Sequence, residues 1–132
     1  MPNLAARITN SELEIMKILW REGVAVSFTE LRLELQRSTE WDKSTINTLI
    51  RRLTDKGVIT AERRGIARYT PNVSRADYAR FEQQSLLDKL YGGSAKQLAA
   101  ALVSGGKLSE ADIDELKAYF KVEDSDNDNA DV

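Results

Sequence analysis

Residues 41–57 read WDKSTINTLIRRLTDKG, and two patterns are superimposed in them. Ile46, Leu49, Ile50 and Leu53 recur at i, i+3, i+4 and i+7, the spacing of one buried helical face. Lys43, Ser44, Asn47, Thr48, Arg51 and Arg52 fall largely on the other side. Asp42 is an N-cap, with Trp41 and Ile46 as the apolar pair around it, and Gly57 suits the left-handed position that follows a helix. The stretch therefore predicts a helix from Lys43 to about Lys56 that buries one face and presents a small, polar and cationic one.

The same cap device lies upstream. Thr9 with Ile8/Leu13 opens a helix that carries Ile15, Met16, Ile18, Leu19 and Trp20 and ends at Gly23. Ser27 with Val26/Leu31 opens a second one. Glu12 and Glu30 complete capping boxes. In the second segment Leu31, Leu33 and Leu35 alternate as a strand would, but the capping box decides for helix.

Downstream, Val58 to Arg64 and Ile66 to Thr70 read as two short strands joined at Arg64–Gly65, with Pro71 closing the hairpin. Pro71 to Ser74 reads as a hinge. A fourth helix then carries Tyr78, Phe81, Leu86, Leu87, Leu90 and Tyr91 up to Gly92–Gly93. Two more are expected, at Ser94–Val103 and, capped by Ser109 between Leu108 and Ile113, at Glu110–Phe120. An acidic tail starts at Glu123. The expected division is residues 1–72, residues 73–122 and a disordered tail of 123–132.

Composition narrows the chemistry. Of 132 residues, 42% are apolar and 30% charged, which is ordinary for a globular chain. There is no cysteine and no histidine, so disulfides, thiolate nucleophiles, imidazole bases and Cys/His zinc sites are excluded. The expectation is no enzyme, no metal and no cofactor. The longest apolar run, Leu98 to Val103, is far short of the roughly 20 residues a membrane helix needs, and a cytoplasmic location is the default. The net charge of −2 conceals residues 42–68, where seven Lys/Arg face three Asp/Glu. An acidic total thus remains compatible with a polyanionic partner.

Helix, helix, helix, hairpin is the order of a winged helix-turn-helix, so the fold class is mainly α: three helices plus a two- or three-stranded wing, followed by a three-helix segment. On that fold the third helix enters the major groove, where Asn can read adenine and Arg guanine. Arg63, Arg64 and Arg68 in the hairpin suit phosphates, which fix register rather than sequence. A merely solvated polar face is the competing reading, as is a winged helix that binds protein without sequence-specific DNA binding. Trp20 and Trp41 offer ring faces to bases, but each holds an apolar helical or staple position, so core packing is expected. Asp112, Asp114 and Glu115 suit a helix N-terminus and need no catalytic role. Asp124, Asp126 and Asp128 imitate a calcium loop, yet Asn129 stands where that loop needs glycine.

With these residues in place, the sequence resembles the bacterial penicillinase repressor and methicillin-resistance repressor family, BlaI/MecI/CopY. The likeness covers residues 8–120 and rests on Thr9–Trp20 (TNSELEIMKILW), on Trp41–Leu53 with Lys56-Gly57, and on Tyr69–Asn72 (YTPN). It implies a dimeric transcriptional repressor that reads a pseudo-palindromic operator in double-stranded DNA. Its groove contacts would be Lys43, Ser44, Thr45, Asn47, Thr48 and Arg51, with Arg52 beside them and Arg63, Arg64 and Arg68 in the wing. The C-terminal segment would interlock with a second copy through Tyr78, Phe81, Leu86, Leu87, Leu90, Tyr91, Leu98, Leu102, Ile113, Leu116 and Phe120. In the penicillin-sensing branch the resemblance implies relief by cleavage at an Asn–Phe bond, and Ala101–Leu102 holds the matching position here. The copper-responsive branch uses cysteine pairs, which this chain lacks. The sequence names neither an inducing signal nor an upstream sensor or protease.

Overall fold

A computed structural model describes residues 3–115 and residue 118. After a 3-10 turn over Leu4–Arg7 come α1 (Asn10–Glu22), β1 (Val26–Ser27), α2 (Phe28–Ser38), α3 (Lys43–Asp55), β2 (Ile59–Glu62), β3 (Arg68–Pro71), α4 (Arg75–Tyr91) and α5 (Ala95–Ser104). A sixth helix, α6, is described over 110–115.

Each helix starts where a side chain satisfies amide groups that the helix itself cannot. Thr9 and Glu12 form a reciprocal capping box at α1, with bonds of 3.2 and 3.0 Å. Ser27 accepts the Glu30 N–H at 3.2 Å while its own backbone pairs with Arg68, because it is both the end of β1 and the cap of α2. Asp42 accepts the Thr45 N–H at 2.8 Å, and this bond holds its carboxyl below the usual aspartate range. Ser109 and Asp112 form a second reciprocal pair, at 3.1 and 3.0 Å, ahead of 110–115. The ambiguous second segment is a helix: Leu31 and Leu35 are buried, whereas Leu33 is 50% exposed.

The three N-terminal helices close on one core. Ile15, Met16 and Leu19 of α1 meet Leu31 and Leu35 of α2, the Ile46–Leu49–Ile50–Leu53 face of α3, Val58 ahead of β2, and Ile59 and Tyr69 from the sheet. Burying one such side chain contributes about 1.5–3 kcal/mol, so this seam dominates the stability of the unit. The sheet is antiparallel in the order β1-β3-β2, with Tyr69 opposite both Val26 and Ala61.

The strands are shorter than the sequence suggested, because residues 63–67 form an open turn with Gly65 at φ +76°. Pro71 is inside β3, opposite Ile59, rather than after it. It lies beyond the reach of two-residue β1, where its missing N–H costs no ladder bond on that side.

Pro71–Ser74, read from the sequence as a hinge, is fastened to the first unit rather than free. Asn72 donates its backbone N–H to Val58 O at 2.8 Å and its amide to Gly57 O at 2.9 Å, and accepts the Thr60 hydroxyl at 2.9 Å. Val73 is buried, and its carbonyl accepts the Trp20 indole N–H at 2.9 Å. These bonds come from residues distant in sequence, which local composition cannot show.

The chain divides into compact units at Gln83/Gln84, eleven residues after the boundary expected at 72. The reason lies in α4, whose first turns carry Tyr78 and Phe81 against the core of the first unit. Tyr78 packs against Trp20 in a tilted pair, with ring centroids 5.5 Å apart. Tyr78 and Phe81, expected at a dimer interface, are partly buried against the core of their own chain. In the second unit, none of the described residues is buried. Leu86, Leu90, Leu102 and Val103 are exposed, and Leu87, Tyr91, Leu98 and Ile113 are half-buried. Leu116, Phe120 and the acidic tail from Glu123 lie outside the described residues.

Candidate nucleic-acid interface

The buried stripe of α3 fixes the orientation of everything else on that helix. With Ile46, Leu49, Ile50 and Leu53 turned inward, Lys43, Ser44, Thr45, Asn47, Arg51 and Arg52 are exposed and Thr48 is half-buried. Lys43, Asn47 and Arg51 are spaced four residues apart and form one strip along the helix; Ser44, Thr48 and Arg52 form the next.

Within this face the hydroxyls have prior commitments. Thr48 donates to Ser44 O at 3.0 Å, so its donor is used while it keeps acceptor capacity. The Thr45 hydroxyl helps to hold the Asp42 carboxyl low. Asn47 and Ser44 make no side-chain bond within the protein among the described residues, which leaves Asn47 with both donor and acceptor available.

The basic residues separate into two kinds. Lys56, at the C-terminal end of α3, is engaged internally: its ammonium bonds Glu12 Oε1 at 2.5 Å and Arg7 O at 2.7 Å. Glu12 is 1% exposed and Lys56 26%, and the Arg7 guanidinium returns a bond to Lys56 O at 3.3 Å. This cluster ties the end of α3 to the start of α1. By contrast, among the described residues Lys43, Arg51, Arg52, Arg63, Arg64 and Arg68 form no salt bridge. Six exposed cations without an internal carboxylate partner are the electrostatic footprint that a phosphate backbone requires.

The wing stands beside this face because α3 hands the chain directly to it. Gly57 turns at φ +80°, Val58 is fully buried, and Asn72 locks the far end of the hairpin back onto Gly57. Arg63 and Arg64 occupy the exposed turn. Arg68 is different: it sits in the central strand, in register with Glu62 on one side and Ser27 on the other. Its neighbour Glu62 lowers the net positive potential there. Phe28 N–H donates to Ala67 O at 2.9 Å and joins the wing's return to the start of α2.

Sequence reasoning placed the exposed face correctly but missed the Glu12–Lys56 pair and the Asn72 staple. Glu12 already had a sufficient explanation as a capping box, and nothing local marks its second partner 44 residues away. The two tryptophans are core-side residues: both are partly buried against the first unit's core.

Three helices on a three-stranded sheet, with a polar and cationic third helix and a basic hairpin, define a winged helix-turn-helix protein. Comparison with known proteins takes this one step further. Residues 8–121 match the sequence model of the penicillinase repressor family, and the chain belongs to that family. It is 31% identical over 111 residues to a penicillinase repressor of Bacillus licheniformis, spanning 83% of this chain and 86% of that one. With a penicillinase repressor of Staphylococcus aureus it shares 32% identity over 118 residues, 89% of this chain and 93% of the relative. The solution structure of the DNA binding domain of the repressor BlaI superposes with a TM-score of 0.52 at 33% identity, covering 59% of this chain and 94% of that one. Among the described residues no helix is long and apolar enough to cross a membrane.

Proposed function

We propose that this chain is a cytoplasmic transcriptional repressor that binds double-stranded operator DNA as a homodimer and carries out no catalysis. The observation that carries the reading is the α3 face: small polar side chains with Asn47 uncommitted, flanked by cations that form no salt bridge among the described residues. The family of repressors to which the chain belongs supports it independently. In this reading Asn47, Lys43, Ser44 and Arg51 face base edges, Thr45 and Thr48 accept, and Arg52, Arg63, Arg64 and Arg68 meet phosphates.

The homodimer is supported by the second unit, where Leu86, Leu90, Leu102 and Val103 remain exposed on α4 and α5. An apolar segment with none of its described residues buried is stabilised by a partner of like character, and a second copy supplies one with closed symmetry. Two-fold symmetry makes the operator pseudo-palindromic, with half-sites separated by whole turns of about 10 base pairs.

The test is to incubate the purified protein with fragmented genomic DNA of its source, recover bound fragments at moderate salt and sequence them. Enrichment of a few promoter regions sharing an inverted repeat is the expected result. Uniform recovery, or none, would refute the reading and favour a winged helix that binds protein.

A further inference from the structure

The geometry points to an effector site for a small apolar monocarboxylate in a cleft between α1, α2 and the first turn of α4, on the first unit and built from none of the α3 face. The cleft encloses about 590 Å³, within the 300–1,000 Å³ typical of small-molecule sites. Leu13, Trp20, Leu35, Tyr78 and Ala79 supply apolar lining, and the tilted Trp20–Tyr78 pair gives it an aromatic wall.

The charge at the rim selects the ligand's sign. Lys17 is paired with Glu14 at 3.4 Å, and Arg21 bonds Glu34 twice at 2.6 Å and Glu22 at 3.1 Å, so neither of these two cations is free for a ligand. Arg75 also lines the cleft and, among the described residues, forms no salt bridge. One uncompensated guanidinium on a residue lining an apolar cleft fits one carboxylate on an aryl or alkyl body, held through a charge-assisted pair. A neutral ligand would leave Arg75 unused, and a dianion would lack a second cation.

Occupancy has a route to function. The cleft's walls include α1 and α2, and α2 is joined to α3 by the four residues 39–42, so a ligand wedged there changes how α3 is presented. That consequence rests on the proposed DNA-binding reading; ligand binding itself does not.

The test uses the full chain and 1-naphthoate, with 1-naphthalenemethanol as its neutral counterpart. The protein has two tryptophans, hence two indole N–H signals in a nitrogen-15 correlation spectrum, assigned through Trp41→Phe. We expect saturable displacement of the Trp20 signal by naphthoate, with Trp41 unmoved. Arg75→Gln should weaken naphthoate about tenfold, equivalent to roughly 1.4 kcal/mol, without altering the response to the alcohol. Ala79→Trp should fill the cleft and abolish both; Arg75→Gln, at an exposed and unpaired position, keeps the test decisive if that variant fails to fold. No movement of the Trp20 signal at millimolar naphthoate, equal affinity for acid and alcohol, or indifference to Arg75→Gln would each overturn the proposal. Retention of promoter DNA with and without naphthoate is then compared: a change supports the effector role, and retention unaltered by saturating ligand overturns it. A protein that binds naphthoate but retains no DNA under any condition would sink the repressor reading and leave the cleft's ligand intact.

Discussion

Replacing Lys56 by Met should destabilise the first unit strongly, although the residue lies at the end of a surface helix. Methionine keeps most of the side chain's volume and removes the ammonium. Among the described residues, Glu12, 1% exposed, is then left with only the Thr9 N–H at 3.0 Å. Removing one member of a buried ion pair costs about 3–5 kcal/mol. Lys56 is 26% exposed, so water replaces part of the lost bond and the expected loss is about 2–3 kcal/mol. For a unit of this size that corresponds to a fall in Tm of about 10–20 °C. Urea unfolding followed by tryptophan fluorescence reports the right unit, because Trp20 and Trp41 both pack against its core. Glu12→Gln retains an acceptor for the capping box and removes the charge, so adding it to Lys56→Met should recover most of the loss. A Lys56→Met protein within about 0.5 kcal/mol of the parent, the range of ordinary surface substitutions, would show that the pair does not hold α3 to α1.

Other expectations follow from the same geometry. Asn47→Ala should cost about 1–3 kcal/mol on the preferred operator and relax base choice at one position, whereas Arg64→Ala should weaken all sequences alike and lower the salt slope by about one; binding isotherms on matched and mismatched DNA at several salt concentrations distinguish them. Leu90→Asp, at a position 59% exposed, should leave the monomer folded and shift sedimentation from dimer to monomer. Asp42 is held below the ordinary aspartate range in the folded state, so its ionised form stabilises the protein above that range, and the contribution disappears as pH falls through the folded value. Asp42→Asn should therefore lower Tm at neutral pH and converge with the parent in strong acid, and a pH-independent difference would show that the charge is not involved.

The legible parts of this molecule were those settled by near neighbours in sequence. α3 carries its cap, its apolar period and its terminating glycine within seventeen residues, and its buried and exposed faces follow from these alone. α2 was decided by Ser27 and Glu30 against an alternating leucine pattern. What stayed hidden depended on distant contacts. Val73 reads as linker until Trp20, 53 residues earlier, claims its carbonyl. Tyr78 and Phe81 fit the apolar spacing of α4 together with Leu86 and Leu90, and spacing cannot say that the first two face their own chain while the others remain exposed. Counting seven cations over residues 42–68 likewise overstated the face by one, since Lys56 serves Glu12.

The division of labour along α3 has an evolutionary consequence. The side chains that anchor the helix, Ile46, Leu49, Ile50 and Leu53 with Lys56 beyond its end, share no position with the uncommitted Lys43, Ser44, Asn47 and Arg51. Under the proposed DNA-binding reading, mutations at the second set would therefore alter target choice with little effect on folding. A duplicated copy of such a gene could acquire a new set of promoters by a few changes on one helical strip while inheriting its scaffold intact.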